Sequence, residues 1–307
     1  MILYNTLQKI KRFIFSKKDI NTTSVRKIEK VNTGGKRIVA MTFDDGPCAV
    51  VCPDGRKLTE FIVDTLNEYS FTATFNIIGS TAENYPDNPG RSGSFYWSGT
   101  RYDHYPRFGD DILASAVNNP DLIRKIIDSG CELANHGYRH IVCGKQHFPY
   151  SKRVYFKNEN EVYADYLRLH NYILESFRYP MTNARPPHYV ESIGRGDPCG
   201  RLSSYSRPSN KTVFDVYEKL GYNYLSASFD GGGWEKNSNA DEMVARLKRQ
   251  LESNADSFCG SIIYQKDGLN MSGEMPIYEA LPRQLNLLKS FGCSVVSVRE
   301  LLEEEKL

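Results

Sequence analysis

The chain has 307 residues, 40% hydrophobic and 25% charged, with a formal net charge of +2 at neutral pH. That length suits one α/β barrel or two smaller domains, and the near-balanced charge gives no sign of a nucleic-acid partner. No stretch approaches the roughly 20 apolar residues that span a bilayer, so the composition is that of a globular protein.

Seven cysteines stand at scattered positions, 48, 52, 131, 143, 199, 259 and 293. Their odd number and lack of a repeated spacing point to reduced thiols in a reducing compartment. Cys48 and Cys52 flank the acidic pair described below, but a zinc site there would need two further ligands. Twenty Tyr, fifteen Phe and two Trp provide flat surfaces for stacking on sugar rings.

In chain order, residues 1–18 place Leu3, Leu7, Ile10 and Ile14 at helical spacing among Lys9, Lys11, Arg12, Lys17 and Lys18. The apolar run is too short for a secretory signal, and no small-residue cleavage site follows. The expectation is a basic amphipathic extension over 1–35 that packs on the body of the protein or, as a second reading, touches an anionic membrane face. Residues 38–41 then alternate as a strand and run into Thr42-Phe43-Asp44-Asp45-Gly46-Pro47. Adjacent side chains alternate across a strand, so Asp44 and Asp45 point apart until the Gly-Pro turn re-aims one of them. Two carboxylates held that way can take two roles, a metal ligand and a free base, although Asp and Gly-Pro are also ordinary turn chemistry.

A helix is predicted over 57–69, with Leu58, Phe61, Ile62, Thr65, Leu66 and Tyr69 on one face, and a strand over 71–78. Asn119-Pro120-Asp121 reads as cap, first-turn proline and early acid of a helix that Gly130 stops. Strand 131–135, helix 159–177, strand 183–185, helix 213–220 and strand 222–229 follow. The tail repeats the alternation: helix 240–253, strand 261–266, helix 277–290, strand 293–297 and a closing helix. Seven strands, each followed by helical material and with the polar motifs at their C-terminal ends, predict an α/β fold of the TIM-like barrel type; an open doubly wound sheet is the alternative. Segments 80–114 and 194–211, rich in Gly, Pro, Ser, Asn and Tyr, are long for connections and read as functional loops inserted in one domain over 36–307.

After the strand at 131–135 comes His136-Gly137-Tyr138-Arg139-His140, two imidazoles that would share a face if the segment were helical. Two histidines and a carboxylate with one position open form a common ligand set for catalytic zinc. With these residues in view, the chain resembles the polysaccharide deacetylase family, the NodB-homology domain of carbohydrate esterase family 4. Thr42-Phe43-Asp44-Asp45-Gly46-Pro47 is similar to that family's first motif, His136 to His140 to its second and Arg185-Pro186-Pro187 to its third, and the likeness spans about residues 36 to 304. The resemblance implies an irregular seven-stranded β/α barrel. It also implies a divalent metal, most often Zn²⁺, on Asp45, His136 and His140, with Asp44 as the general base and Arg185 orienting it. Pro187, His188, Trp234 and Tyr264 then fall at substrate-binding positions, and backbone N–H groups after Pro187 at an oxyanion site.

Two family positions differ and are coupled. Asp230-Gly231-Gly232-Gly233-Trp234 has Gly233 where the family has an acid before the Trp. Ile262-Ile263-Tyr264-Gln265-Lys266 has Lys266 where the family has the histidine that protonates the leaving amine, and that acid normally supports that histidine. Lys266 is therefore the expected proton donor for N-deacetylation of amino-sugar glycans, with His188 or Asp44 as substitutes. An O-acetyl esterase, whose alkoxide leaves more readily than an amine, and a non-catalytic metal-containing carbohydrate-binding protein are the other readings. The expected substrate is an acetylated carbohydrate, and the expected location cytoplasmic, peripheral to the inner membrane face in the second reading of the extension.

Overall fold

The computed structural model describes residues 24–80, 113–145, 155–194, 211–270 and 272–306. The expectations for 1–18 and for most of 80–114 and 194–211 lie outside them. Nine strands and seven α-helices alternate: β1 (Lys27–Ile28), β2 (Ile38–Gly46), α1 (Leu58–Glu68), β3 (Thr74–Ile77), α2 (Pro120–Asp128), β4 (Glu132–Asn135), α3 (Glu159–Phe177), β5 (Asn183–Ala184), α4 (Val213–Leu220), β6 (Asn223–Leu225), β7 (Phe229–Asp230), α5 (Ala240–Phe258), β8 (Ile262–Lys266), α6 (Pro276–Ser290), β9 (Ser294–Val296) and α7 (Val298–Glu303). The strands form one parallel sheet in the order β1-β6-β5-β4-β3-β2-β8-β7, with β9 also paired to β2. It curls into an irregular barrel, and an antiparallel bridge from Lys30 to Ser261 ties the segment after β1 to the start of β8.

The period-2 alternation of the strands decides which residues face inward. Val39, Met41, Phe43, Phe75, Ile77, Leu133, Ala184, Tyr224 and Ile263 pack outward under the helices. Their helical partners include Leu58, Ile62 and Leu66 of α1, Leu169 and Ile173 of α3, and Leu281 and Leu285 of α6. A smaller interior cluster joins Ala40, Ala134, Leu225 and Ile262 to Val298 and Leu301 of α7, which closes the N-terminal end of the barrel. Ser297 caps α7 by accepting from the Glu300 N–H, and the Val298 N–H bonds Thr74 Oγ1. Continuing the inward series toward the strands' C-terminal ends brings Asp44, Asn76, His136, Arg185 and Lys266 to one mouth.

Four expectations need correction. Among the described residues the strand count is nine rather than seven, because β1 and β7 add short pairings. The run expected as one strand over 222–229 is two, β6 beside β5 and β7 beside β8, since the Ser226 and Ser228 N–H groups bond Ile28 and Ile262 carbonyls on different strands. The barrel reaches N-terminal of residue 36, because Lys27–Ile28 is a sheet strand. Asn119 occupies the N-cap of α2 without a capping bond from its side chain, whose amide donates to the Ala114 and Ser115 carbonyls.

Candidate active site

β2 carries the acidic pair to the mouth and then breaks its own alternation. Asp44 keeps the inward direction of Ala40 and Thr42, while Asp45 has φ of 75° and the pairing with β3 shifts register between Asp44 and Gly46. That positive φ, costly for a non-glycine residue, swings the Asp45 carboxylate toward β4. A side chain at Gly46 would collide with Asp267, so the turn depends on glycine there.

Residues 136–140 form a loop rather than the helix the spacing allowed, with Gly137 at φ 83° and His140 at 55°. Two buried side chains shape it. Asn135 Oδ1 accepts from the Gly137 N–H at 2.9 Å, and Asp165 of α3 accepts from the Tyr138 N–H at 2.8 Å and Arg139 Nε at 2.7 Å. The imidazoles still converge, with centroids 5.1 Å apart.

His136 Nε2 lies 3.1 Å and His140 Nε2 3.0 Å from Asp45 Oδ1. One ligand atom from each of the three residues falls within 4.8 Å of the other two. The donor set fits a divalent metal on a further observation: His136 Nδ1 is 2.8 Å from the Arg185 carbonyl, which can only accept, so Nδ1 is committed to that bond and Nε2 is the ring atom turned toward Asp45 and open to a metal. Burial pushes the His140 pKa down despite the nearby Asp45, keeping that ring neutral. Burial alone would raise the Asp45 pKa, but the Lys266 charge, His140 and the histidine hydrogen bonds hold it well below the usual carboxylate range.

Asp44 is clamped through one oxygen. Its Oδ1 accepts from Arg185 Nη1 at 2.6 Å and from Asn76 Nδ2 at 2.6 Å, while Oδ2 lies 3.9 Å from His136 Nε2 and faces the ligand set. The Arg185 guanidinium is fully buried and also donates to Thr42 Oγ1 and to the Leu225 and Ser226 carbonyls, tying β5 to β2 and β6. Burial opposes its charge, yet Asp44 more than compensates and raises its pKa.

The remaining candidates are brought to the same mouth in different ways. Lys266, opposite Asp44 in the β2–β8 register, donates to Asp45 Oδ2 on the side away from the histidines. Pro187 and His188 lie on a 3-10 turn, Pro187–Tyr189, where His188 adopts φ 56° and its ring sits 5.4 Å from that of His140. The Tyr189 and Val190 N–H groups are used within this turn, bonding the Pro186 and Pro187 carbonyls. Tyr264 meets Tyr189 edge-on at 6.3 Å. Trp234 Nε1 donates to Asp230 Oδ2 at 3.1 Å, so Asp230 supports the indole from four residues upstream. Gly233 has φ of 89°, and a Cβ there would lie 3.0 Å from Met243 Cε.

Sequence reasoning missed Asn76, Thr42, Asp165 and Asp267. Asn76 had one readable signal, a polar residue at an inward position of a strand ending at the site. Asp267 is fully buried beside Asp45; it bonds Thr59 Oγ1 at 2.6 Å, and burial pushes its pKa up to about 7.

A curled parallel barrel with two histidines and a carboxylate beside a clamped second carboxylate at the strands' C-terminal ends is an arrangement that could hold a divalent metal, as hydrolases of this architecture do. The polysaccharide deacetylase family model matches residues 31–192, more than half of the chain, and the protein belongs to that family. It is 24% identical over 285 residues to the peptidoglycan-N-acetylglucosamine deacetylase PgdA of Listeria monocytogenes, covering 93% of this chain and 42% of that protein. The chain therefore spans less than half the length of that relative. Among solved structures, the chitin deacetylase of the fungal pathogen Colletotrichum lindemuthianum superposes with a TM-score of 0.59 at 16% identity over 92% of each chain. BA3943 of Bacillus anthracis, described as a CE4 family pseudoenzyme, superposes with a TM-score of 0.57 at 17% identity over 92% of this chain and 71% of that one. These likenesses carry the fold.

Proposed function

We propose that the protein is a divalent-metal-dependent hydrolase that removes N-acetyl groups from amino-sugar-containing glycans or their precursors. The observation that carries this reading is the meeting of Asp45, His136 and His140 through single ligand atoms, with the outward oxygen of Asp44 beside them. These three residues would hold the metal, most simply Zn²⁺, which when bound supplies Lewis acidity for water activation and carbonyl polarisation. Asp44 Oδ2 takes the proton of the attacking water, because Oδ1 is committed to Arg185 and Asn76 and cannot turn away. The buried Arg185 guanidinium holds Asp44 in that orientation through Oδ1. His188 and Tyr264 border the acceptor side, and Trp234 offers a flat face for a sugar ring. Six buried free cysteines among the described residues support a reducing, cytoplasmic setting and an acetylated sugar met there. No helix among the described residues is long and apolar enough to cross a membrane.

The leaving amine needs a proton, and with the Lys266 ammonium bonded to Asp45, Asp44 returns to the amine the proton it took from the water, or His188 supplies one. The engagement of Lys266 favours a second reading, O-acetyl ester hydrolysis, in which the alkoxide leaves with little acid assistance. Acetate release from N-acetylated and O-acetylated sugar oligomers, with and without a chelator, tests both. Release from the N-acetylated series that stops on metal removal and returns with zinc supports the first reading; release confined to the O-acetylated series supports the second. Turnover that survives complete metal removal contradicts both, and no turnover on either series with metal bound leaves a carbohydrate-binding role.

A further inference from the structure

The geometry points to Lys266 as an internal competitor of the metal: its ammonium occupies the Asp45 carboxylate and holds the metal affinity of the site down. The inference rests on Asp45, His136 and His140 being the metal ligands. It goes beyond that assignment by giving Lys266 a role in metal loading.

Three observations carry it. The first is the contact itself. Lys266 Nζ bonds Asp45 Oδ2 while Asp45 Oδ1 faces both histidine Nε2 atoms, so one carboxylate serves a resident cation and the prospective ligand set at once. The second is burial. The Lys266 and Asp45 side chains are 8% and 10% exposed, and the two histidines 2%, so little solvent is there to screen the ammonium from an incoming dication.

The third is the charge count. Asp44 is paired with Arg185 and Asp45 with Lys266. Both fixed negative charges are thus matched by fixed positive ones before any metal arrives. A dication must therefore enter a pocket with little net negative charge and share Asp45 with an ammonium fixed on β8.

Removing the charge at residue 266 should consequently tighten metal binding. The test uses metal-stripped full-length protein and zinc competed against a chromophoric chelator. Wild type and Lys266→Arg should bind weakly and alike, whereas Lys266→Met and Lys266→Gln should bind one zinc per chain at least tenfold more tightly. His140→Ala should lose binding in either background, which places the metal at this site. Circular dichroism identifies any variant that fails to fold. Should both neutral variants fail, the structure of zinc-loaded wild type decides: Lys266 Nζ displaced from Asp45 supports competition, and Nζ still bonded to Oδ2 with zinc present overturns it. Equal or weaker zinc binding by a folded neutral variant also overturns it, as does any folded variant's failure, with wild type, to bind zinc at all. Tightened binding without acetate release on any substrate leaves this inference standing while the deacetylase reading falls.

Discussion

On the β2–β5 side of the site each reacting group is gripped from several elements, whereas on the β7–β8 side the corresponding groups are rewired onto their neighbours. Asp44 is held by Asn76 of β3 and by Arg185 just beyond β5, and His136 has its proton fixed by the Arg185 carbonyl. Opposite, Gly231 lays the chain after β7 against Tyr264 of β8, Asp230 bonds the indole four residues on, and Lys266 reaches across to the Asp45 carboxylate. The contrast is between side chains that converge on Asp44 and side chains taken up by their neighbours. The two sides meet through the backbone, where Asp44 pairs with Lys266 and its carbonyl accepts from the Asp267 N–H at 2.8 Å.

The sharpest way to break that comparison is Arg185→Ala. It leaves Asp44 buried without its counter-charge and severs four hydrogen bonds that join β5 to β2 and β6. A loss of about 3–5 kcal/mol in urea unfolding is expected, with acetate release falling at least as far as in any other single variant. Asp267→Asn has a pH signature instead. The folded pKa of this acid lies above its unfolded value, so the native state keeps a proton that the unfolded chain gives up. Its ionisation therefore lowers the stability of the metal-free protein as pH rises from about 4 to about 7, by as much as ~4 kcal/mol. The variant should flatten that decline, gaining on wild type at pH 8 and matching it near pH 4 in paired denaturation curves. A variant that gains equally at both pH values would mean that Asp267 is not held protonated.

Gly233→Asp, which writes the family acid back into the β7–β8 side, has the smallest expected effect. Its φ of 89° suits glycine, so the substitution should cost about 1–2 kcal/mol in thermal unfolding. It should leave acetate release close to that of wild type while Lys266 remains on Asp45. A marked change in release in this single variant would show that the two sides are less independent than their side-chain hydrogen bonds indicate.

The legible residues were those whose chemistry sits in short runs at strand ends. Asp44-Asp45-Gly46-Pro47, His136 to His140 and Arg185-Pro186-Pro187 could be placed because alternation and turn signals locate a strand's end. Helices α3 and α4 matched the expected spans because Asn158, Arg178, Thr212 and Gly221 mark their ends in the sequence or by conformation. What could not be read depends on register between distant strands. Asn76 meets Asp44 because β2 and β3 pair them, and Asp165 shapes the histidine loop from a helix 27 residues beyond Tyr138. The split of 222–229 into β6 and β7 was hidden for a related reason: nothing local in Ser226-Ala227-Ser228 says that the chain changes neighbours. Lys266 could be aligned with a donor position, but its actual acceptor, on another strand, could not be foreseen.

The central claim is that the Asp45–His136–His140 centre and the Asp44 base form a complete water-activating unit. Titrating zinc into stripped protein while following acetate release, for wild type and Asp44→Asn side by side, tests it most directly. The account predicts wild-type release rising with added zinc and levelling off at one bound zinc per chain. Asp44→Asn should bind the same equivalent yet lose about 10²–10⁴ in rate. Release by the stripped protein, or an Asp44→Asn variant that turns over like wild type, would contradict it.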